Sequence, residues 1–450
     1  MSDGDTDRDG GCDRDDEPLL RVEGLEKEYT TSDGFLDRLL GNERTVTAVD
    51  GVDLEVREGE TLGLVGESGC GKSSLARSLL RLTEPTAGAV SYRGTDLTDC
   101  TRSELRAMRT NVQYVSQNPG ASLNPRLPVG DIVGEPLEVH DIVPPEERDA
   151  RVRDLLETVG LAPNHADRYP HEFSGGQRQR IAIARALAVE PEFVVCDEPV
   201  SSLDVSVQAQ ILNLLADLQD EFGLSYLFIA HDLSVVEHVA DRVAVMYLGE
   251  IVDIGPTEAV FDGPSHPYTA ALRSAIPEPD PRWEGDRIVL EGTVPDPSDR
   301  PSGCRFHTRC PKVLSPAEYD LESDTVRAIL RLRRRLADAE DGLESILTTS
   351  AADADVPAAI RDAFDIPVEL RDDAAERVLS DALEVVAAGE LDDGRARLAS
   401  AFATPCETDR PRLESTDDGE SDGRSIACHR FDETYADHLS DESETAPFHR

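Results

Sequence analysis

The chain has 450 residues and carries 91 acidic against 45 basic side chains, which gives a formal net charge of −46. This acidity excludes nucleic acid as a partner for the bulk of the surface, because contacts with phosphates need basic patches. A hydrophobic content of 39% allows at least one sizeable core, and eight cysteines are too few for a disulfide scaffold in a chain of this length.

The excess of acidic residues has two interpretations. One is a disordered acidic protein, which the apolar runs described below contradict. The other is a folded protein from a halophile, whose carboxylate-rich surface suits a high-salt cytoplasm because salt screens the repulsion between its charges. Only Lys27, Lys72 and Lys312 are lysines and all other basic residues are arginines, and this scarcity of lysine favours the second interpretation.

The first segment of the chain, residues 1–17, is rich in aspartate and has no apolar core. We therefore expect a disordered acidic tail rather than a signal peptide. No run of 18 apolar residues occurs, so the sequence predicts no membrane-spanning segment. We expect a cytosolic protein that can still dock on a membrane protein.

Residues 18–255 alternate short apolar runs with helical stretches, as an α/β domain does. The sequence predicts buried strands at residues 61–65, 193–196 and 225–230, and helices over residues 73–82 and 207–222. Each strand is followed by a glycine loop or by polar residues at its carboxyl end, where open α/β sheets place their ligands.

The predicted strand at residues 61–65 is followed by a glycine loop. Its sequence is Gly66-Glu67-Ser68-Gly69-Cys70-Gly71-Lys72-Ser73, which has the pattern G-x-x-x-x-G-K-[ST]. Its glycines let backbone N–H groups curl around phosphate oxygens, while the following helix directs its positive end at them. Lys72 is then expected to bridge the β- and γ-phosphates, and the Ser73 hydroxyl to bind Mg²⁺. The alternative is a chance glycine turn, which the flanking strand and helix disfavour.

The second strand ends at the acidic pair Asp197-Glu198. An aspartate at this point can hold a metal ion, and the adjacent carboxylate can polarise a water for attack on the γ-phosphate. An isolated acidic pair after a strand is more often a helix cap. The glycine loop upstream favours the catalytic interpretation.

A third motif is Ser174-Gly175-Gly176-Gln177, which precedes the helical residues 181–187. A Ser-Gly-Gly turn at a helix start can form a second anion site, because the hydroxyl and the free N–H groups converge there. A simple helix cap is the alternative, and it would explain only Ser174.

These motifs, in this order, resemble the ABC-transporter ATPase family over about residues 20–255. The family's Q-loop corresponds to Ser116-Gln117-Asn118-Pro119, its D-loop to Ser201-Ser202-Leu203-Asp204 and its H-loop to His231-Asp232. The resemblance implies an α/β P-loop nucleotide-binding domain of the ABC type with a helical signature subdomain. It also implies that two such domains enclose two ATP molecules, each held by the P-loop of one chain and the signature of the other.

The resemblance assigns the site residues. Catalysis is expected from Glu198, His231, Gln117 and Lys72, and Mg²⁺ binding from Ser73, Gln117 and Asp197. For Tyr29, the expected adenine-stacking aromatic, and for His231, simple packing is the alternative. The nucleotide-binding set as a whole is Tyr29, Gly66, Glu67, Ser68, Gly69, Cys70, Gly71, Lys72, Ser73, Ser74, Gln117, Ser174, Gly175, Gly176, Gln177, Asp204 and His231.

Beyond the ATPase domain, proline-rich residues 256–312 contain His266-Pro267-Tyr268 and the run from Cys304 to Pro311, which resemble the C-terminal extension of oligopeptide/dipeptide importer ATPases. The details are similar to the F-type ATPase of such importers. This resemblance implies ATP hydrolysis coupled to peptide uptake at the cytoplasmic face of the membrane. The implied partners are a D-type ATPase or a second copy of this chain, two transmembrane permeases and, indirectly, an extracellular binding protein.

In that family, four cysteines of the extension can hold an iron–sulfur cluster. Here Cys304 and Cys310 are separated from Cys406 and Cys428 by residues 313–405, which have helical periodicity, and the acidic residues 406–450 follow. We interpret the two pairs as one [4Fe–4S] site interrupted by a folded helical insert. Four reduced structural thiols are the alternative.

Other functions stay open at this stage. The chain is alternatively a soluble ABC ATPase with a role outside transport, although that class commonly carries two motors or a nucleic-acid module. The extension is alternatively a sensing module that regulates uptake. Related motors also serve nickel and oligosaccharide importers, and the transported substrate is not encoded in a motor subunit.

Overall fold

The computed structural model describes residues 17–31, 44–263, 265–276, 287–337, 355–415 and 423–438. The predicted tail, residues 1–17, lies outside the described residues except for its last residue. The chain divides into two compact units. The first consists of Met1–Glu28, Val49–Leu62 and Ser73–Ile229, and the second of Tyr29–Ala48, Gly63–Lys72 and Ala230–Arg450.

The described residues form twelve strands and fifteen α-helices, together with short 3₁₀ turns. The strands are β1 (Leu20–Thr31), β2 (Arg44–Val56), β3 (Thr61–Val65), β4 (Ala87–Tyr92), β5 (Thr95–Asp96), β6 (Val112–Val115), β7 (Phe193–Asp197), β8 (Ser225–Ala230), β9 (Arg242–Tyr247), β10 (Glu250–Pro256), β11 (Glu414–Ser415) and β12 (Ser425–Ile426). The helices are α1 (Lys72–Leu79), α2 (Arg102–Met108), α3 (Pro119–Ser122), α4 (Val129–Val139), α5 (Arg148–Thr158), α6 (Gly175–Leu187), α7 (Val205–Phe222), α8 (Leu233–Glu237), α9 (Thr257–Asp262), α10 (Pro267–Ser274), α11 (Ser323–Ala337), α12 (Val356–Ala363), α13 (Asp373–Ala387), α14 (Leu391–Ala401) and α15 (Pro405–Thr408).

The first unit contains three parallel strands whose carboxyl ends lie side by side. Strand β7 lies between β6 and β8 and is parallel to both, with Asp197 opposite Ile229 and Cys196 opposite Val115. Their apolar side chains are buried, as continuous apolar runs in a parallel sheet should be. The carboxyl ends of the three strands therefore share one sheet edge. Strands β2, β1, β4 and β5 form a separate sheet in that order, in which β4 is antiparallel to β1 and β5.

The predicted elements of the first unit are confirmed with small shifts. Strands β3 and β8 have the predicted bounds, and β7 is one residue longer. Helix α1 ends at Leu79 rather than at Leu82, because Arg81 adopts a left-handed conformation (φ 44°) and the Leu82 N–H donates to the Arg77 carbonyl. Helix α7 starts with Asp204 as its cap and ends at Gly223, whose φ of 66° favours glycine.

A helical subdomain is also present in this unit. Helices α4, α5 and α6 pack on one another through apolar side chains such as Val133, Leu155 and Ile181, which are buried. The prediction of a helical signature subdomain is therefore confirmed, with the signature at the start of α6.

The second unit is built on antiparallel strands. Strands β9 and β10 form a hairpin whose two turn residues, Leu248 (φ 45°) and Gly249 (φ 90°), have the positive φ angles of a type I′ turn. Strand β12 pairs with both β10 and β11. The Arg424 guanidinium, almost fully buried, pairs with both oxygens of the buried Asp253 at 3.1 and 3.0 Å. This pair attaches the chain next to β12 to the hairpin.

Most of the described part of residues 313–405 is helical, as the sequence predicts, and forms helices α11 to α14. Helix α13 packs on α14, and α14 packs on α11. Buried apolar residues on α11 and α13, among them Ile329, Leu332, Leu379 and Leu383, recur at helical spacing. Within the described ranges, no helix is long and apolar enough to cross a membrane.

Candidate active site

The glycine loop follows β3 and packs closely against other backbone of the second unit. A Cβ atom on Gly71 would lie 2.0 Å from the Ala48 carbonyl oxygen, and one on Gly66 would lie 2.2 Å from the Met246 carbonyl oxygen. Gly71 also has a φ of 112°. Both positions therefore require glycine, which explains two of the spaced glycines in the motif.

The Lys72 side chain is hydrogen-bonded to backbone carbonyls of this loop. Its Nζ donates to the carbonyl oxygens of Gly66 at 2.7 Å and Glu67 at 3.1 Å, and the residue is only 5% exposed. Burial raises the pKa of the neighbouring Cys70 thiol, which keeps it protonated at neutral pH. A compact ammonium group fits this narrow, carbonyl-lined space, and the wider guanidinium fork of arginine does not.

Two contacts to Glu67 were missed by the sequence analysis. The Glu67 N–H donates to Tyr268 Oη at 2.8 Å, and the Glu67 carboxylate accepts two hydrogen bonds from Arg309 at 2.6 and 3.0 Å. Arg309 lies 242 positions downstream, so no local spacing indicates the pair. Tyr268 stands in a segment that the resemblance singled out, but without a role.

Ser73 and Asp197, two of the three expected Mg²⁺ ligands, come from distant motifs and are in contact in the first unit. Ser73 Oγ donates to Asp197 Oδ1 at 3.1 Å, and Tyr114 Oη donates to Asp197 Oδ2 at 2.6 Å. Burial, reinforced by the Asp197 carboxylate, raises the pKa of Tyr114 to about 12. Tyr114 therefore remains a donor that holds one carboxylate oxygen. The sequence analysis missed Tyr114, although it lies on β6 just before the Q-loop.

Gln117 and Glu198 form the second pair in this unit. Gln117 Nε2 donates to Glu198 Oε2 at 2.8 Å. Glu198 adopts a left-handed conformation (φ 46°), and its N–H donates to the Ile229 carbonyl at 3.0 Å. Strained non-glycine residues of this kind cluster at functional sites, where the surrounding structure holds them in place.

The signature serine forms the helix cap that the sequence analysis named as an alternative, and a helix cap is compatible with an anion site at the same position. Ser174 caps α6: its Oγ accepts from the Gln177 N–H at 3.3 Å, and its own N–H donates to Gln177 Oε1 at 3.0 Å. A Cβ on Gly176 would lie 2.3 Å from Val207 Cγ1, so this glycine lets α6 approach α7. The exposed Ser174 remains accessible at the start of the helix.

The other predicted residues have varied surroundings. Asp204 caps α7, and hydrogen bonds from the Ser206 hydroxyl and the Val207 N–H lower its pKa. His231 follows β8 and is exposed, and Tyr29 on β1 is 37% exposed. The remaining members of the set are exposed or half-buried: Ser68, Gly69, Ser74, Gly175 and Gln177.

Cys304, Cys310, Cys406 and Cys428, the four expected cluster ligands, all belong to the second unit. The Cys304 N–H donates to the Cys406 carbonyl at 2.8 Å, across the helical segment that separates them in the sequence. Burial raises the pKa of each thiol, and the neighbouring Cys406, Cys428 and Cys310 raise that of Cys304 further. In the described parts of the chain, however, no three or more His, Cys, Asp or Glu side chains have an arrangement able to hold a metal ion.

Three family models match different parts of the chain. The model of the ABC transporter family matches residues 49–201, and that of the oligopeptide/dipeptide transporter C-terminal region matches residues 252–316. A domain of unknown function, DUF8228, matches residues 323–419. The match over residues 49–201, together with the P-loop and the hydrogen-bonded acidic pair Asp197-Glu198, defines an ATP-binding cassette ATPase with an α/β fold.

Curated relatives extend this assignment over about 300 residues. YkfD of Bacillus subtilis is 53% identical over 300 residues, 66% of this chain and 88% of that protein. The oligopeptide transport ATP-binding protein AppF of the same organism is 50% identical over 298 residues, 66% of this chain and 90% of AppF. The protein y4tS of Sinorhizobium fredii is 54% identical over 293 residues, 65% of this chain and 82% of y4tS. The chain belongs to the family of oligopeptide transport ATP-binding proteins.

Proposed function

We propose that this chain is the ATP-hydrolysing motor subunit of a membrane importer for peptides. The observation that carries the proposal is the contact between Ser73 and Asp197 at 3.1 Å, since two oxygen donors from distant motifs meet beside a phosphate-binding loop. Names of its relatives, such as the oligopeptide transport protein AppF, support peptides as the cargo.

The proposed site binds MgATP. A serine hydroxyl and a carboxylate are hard oxygen ligands of the kind that Mg²⁺ prefers, so Ser73 and Asp197 fit the ion, with Gln117 as a third donor. When bound there, Mg²⁺ would supply positive charge that offsets the negative charge of the phosphates in the transition state. The backbone of residues 66–72 would cradle the phosphates, Lys72 would bind the β- and γ-phosphates, and Tyr29 would stack on the adenine.

Hydrolysis is assigned to Glu198, which would accept a proton from the attacking water. Gln117 would orient this water, since its amide already lies 2.8 Å from the Glu198 carboxylate. His231 would contact the γ-phosphate. The exposed Ser174 and the buried Gly176 at the start of α6, together with the D-loop residue Asp204, would complete the site on the nucleotide that the partner ATPase binds.

We assign the chain to the cytoplasmic face of the membrane, with two permease subunits and a second ATPase as partners. A D-type ATPase is the proposed second motor, and a homodimer is the alternative. The test is uptake of labelled peptides by cells that lack this gene. Expression of the wild-type chain should restore uptake. Restored uptake of nickel or oligosaccharides, but not of peptides, would contradict the proposed cargo, and no effect on any uptake would favour a role outside transport.

We further propose that the four cysteines hold a [4Fe–4S] cluster. Four cysteine thiolates are the ligand set of such clusters, and the backbone hydrogen bond from the Cys304 N–H to the Cys406 carbonyl brings one member of each pair together, although the described side chains are not arranged to hold a metal ion. Protein purified without oxygen should then be brown and contain about four iron atoms per chain. Replacement of Cys310 by serine should reduce the iron content, whereas Cys100→Ser, outside the cluster, should not. Colourless, iron-free protein would support reduced structural thiols instead.

We also propose that the protein is adapted to high salt. Its net charge of −46 creates repulsion that dilute buffer leaves unscreened. The melting temperature, followed by circular dichroism, should therefore fall as KCl is reduced from molar to millimolar concentrations. A melting temperature that does not depend on KCl would contradict this proposal.

A further inference from the structure

Glu67, the residue after the first glycine of the loop, is held at its backbone and at its side chain. Its N–H donates to Tyr268 Oη at 2.8 Å. Its carboxylate accepts hydrogen bonds from both terminal nitrogens of Arg309, at 2.6 and 3.0 Å. All three residues belong to the second unit. A bidentate pair of this kind determines the orientation of the carboxylate as well as its position.

Arg309 is enclosed rather than exposed. Its side chain is 7% exposed, and its guanidinium lies 3.4 Å from Tyr247 Oη and over the Tyr247 ring, 6.0 Å from the centroid. Tyr247 and Tyr268 both pack on Phe306, with ring centroids 5.2 and 5.3 Å away. An aromatic cluster from the hairpin and the C-terminal extension therefore packs around Arg309, and its pair with the partly exposed Glu67 is screened less than one fully at the surface.

The negative charge of Glu67 is unfavourable for phosphate binding, and the ion pair with Arg309 neutralises it. A loop that binds a polyphosphate gains from N–H groups and cations, whereas a carboxylate in the same loop repels the phosphates. In the described loop, Glu67 is the only acidic residue between Gly66 and Ser73. The Arg309 guanidinium places a positive charge next to the Glu67 carboxylate, which points towards it.

We propose that Arg309 is a positioning residue for ATP binding, which neutralises and orients Glu67 without itself touching the nucleotide. This inference rests on the proposed ATP site. Residues 301–311 of the extension, which contain Arg309, thereby act on the ATPase through the phosphate-binding loop.

The test compares binding of trinitrophenyl-ATP to purified full-length variants at one fixed salt concentration. Arg309→Gln should raise the Kd about tenfold, because the carboxylate then repels the phosphates without compensation. The kcat at saturating ATP should change less than twofold, so the loss should appear in KM. The double variant Glu67→Gln with Arg309→Gln should return the Kd to within about twofold of the wild-type value, because it removes the charge that Arg309 neutralises.

Arg305→Gln is the matched control. Arg305 belongs to the same extension and pairs with Glu250 of strand β10 at 2.5 Å, with side chains 11% and 13% exposed. It should bind ATP as the wild type does. Lys72→Ala separates the two proposals: undiminished ATP binding by that variant would overturn the proposed ATP site, whereas the inference about Arg309 is judged on the Glu67 and Arg309 variants.

Two results would overturn the inference. One is a Kd for Arg309→Gln equal to that of the wild type. The other is a double variant as weak as Arg309→Gln, since Arg309 would then act through general stability and not through Glu67. If Arg309→Gln does not fold, Glu67→Gln carries the test. That variant should bind ATP at least as tightly as the wild type, and a tenfold loss would contradict the proposed neutralisation.

Discussion

Glu198→Gln is expected to lower the kcat for ATP hydrolysis by at least about a hundredfold, because an amide cannot accept the proton of the attacking water. The substitution preserves the shape of the side chain, and the amide oxygen can still accept the hydrogen bond from Gln117 that is 2.8 Å long in the structure. ATP binding should therefore persist. Since two chains are proposed to enclose the nucleotides, dimers with unhydrolysed ATP should live longer than those of the wild type.

The measurements are phosphate release under saturating ATP and size-exclusion chromatography with MgATP. Glu190→Gln serves as a control, because this glutamate pairs with Arg151 at 2.8 Å on the surface and is 69% exposed. The control should hydrolyse ATP at the wild-type rate. Phosphate release by Glu198→Gln within a few-fold of the wild type would remove Glu198 from the role of general base.

Lys72→Arg is expected to reduce ATP turnover about a hundredfold, although it keeps the positive charge. The Lys72 ammonium lies between the Gly66 and Glu67 carbonyl oxygens and is only 5% exposed, and a planar guanidinium requires more room and a different donor geometry. Peptide uptake in cells that carry only this variant should be lost with the ATPase activity.

Lys27→Arg is the matched substitution. The half-buried Lys27 donates to the Glu84 carbonyl at 2.7 Å in a solvent-exposed hydrogen bond, where the longer side chain is easily accommodated. This variant should retain both activities, as expected for a chain that has replaced most of its lysines by arginine. Normal transport by Lys72→Arg would mean that lysine was kept at this position for another reason.

Local motifs made much of the fold and the site predictable. The strands that end at Val65, Asp197 and Ala230 are short apolar runs, and their bounds were predicted to within one residue. Residues with a fixed chemical task, such as Lys72 and Asp197, occur in recognisable patterns, because the backbone around them must also adopt a particular conformation.

The partners that hold these residues were not predictable in the same way. Tyr114, Tyr268 and Arg309 are ordinary residue types in ordinary surroundings, and what matters is the tertiary contact that each makes. The Arg309–Glu67 pair joins positions 242 apart. For Ser174 the two interpretations were compatible, because a helix cap and an exposed hydroxyl at a helix start are the same arrangement.

The two ends of the helical segment are joined to each other by hydrogen bonds. The Cys304 N–H is bonded to the Cys406 carbonyl, and the Ser302 hydroxyl donates to the Glu407 carbonyl at 2.9 Å. The chain therefore leaves and re-enters the extension at neighbouring points. When two ends are already adjacent, lengthening the chain between them costs little entropy, about 0.6 kcal/mol for each doubling of its length. This position is thus suited to domain insertion, because a folded module placed there begins and ends at neighbouring points of the extension.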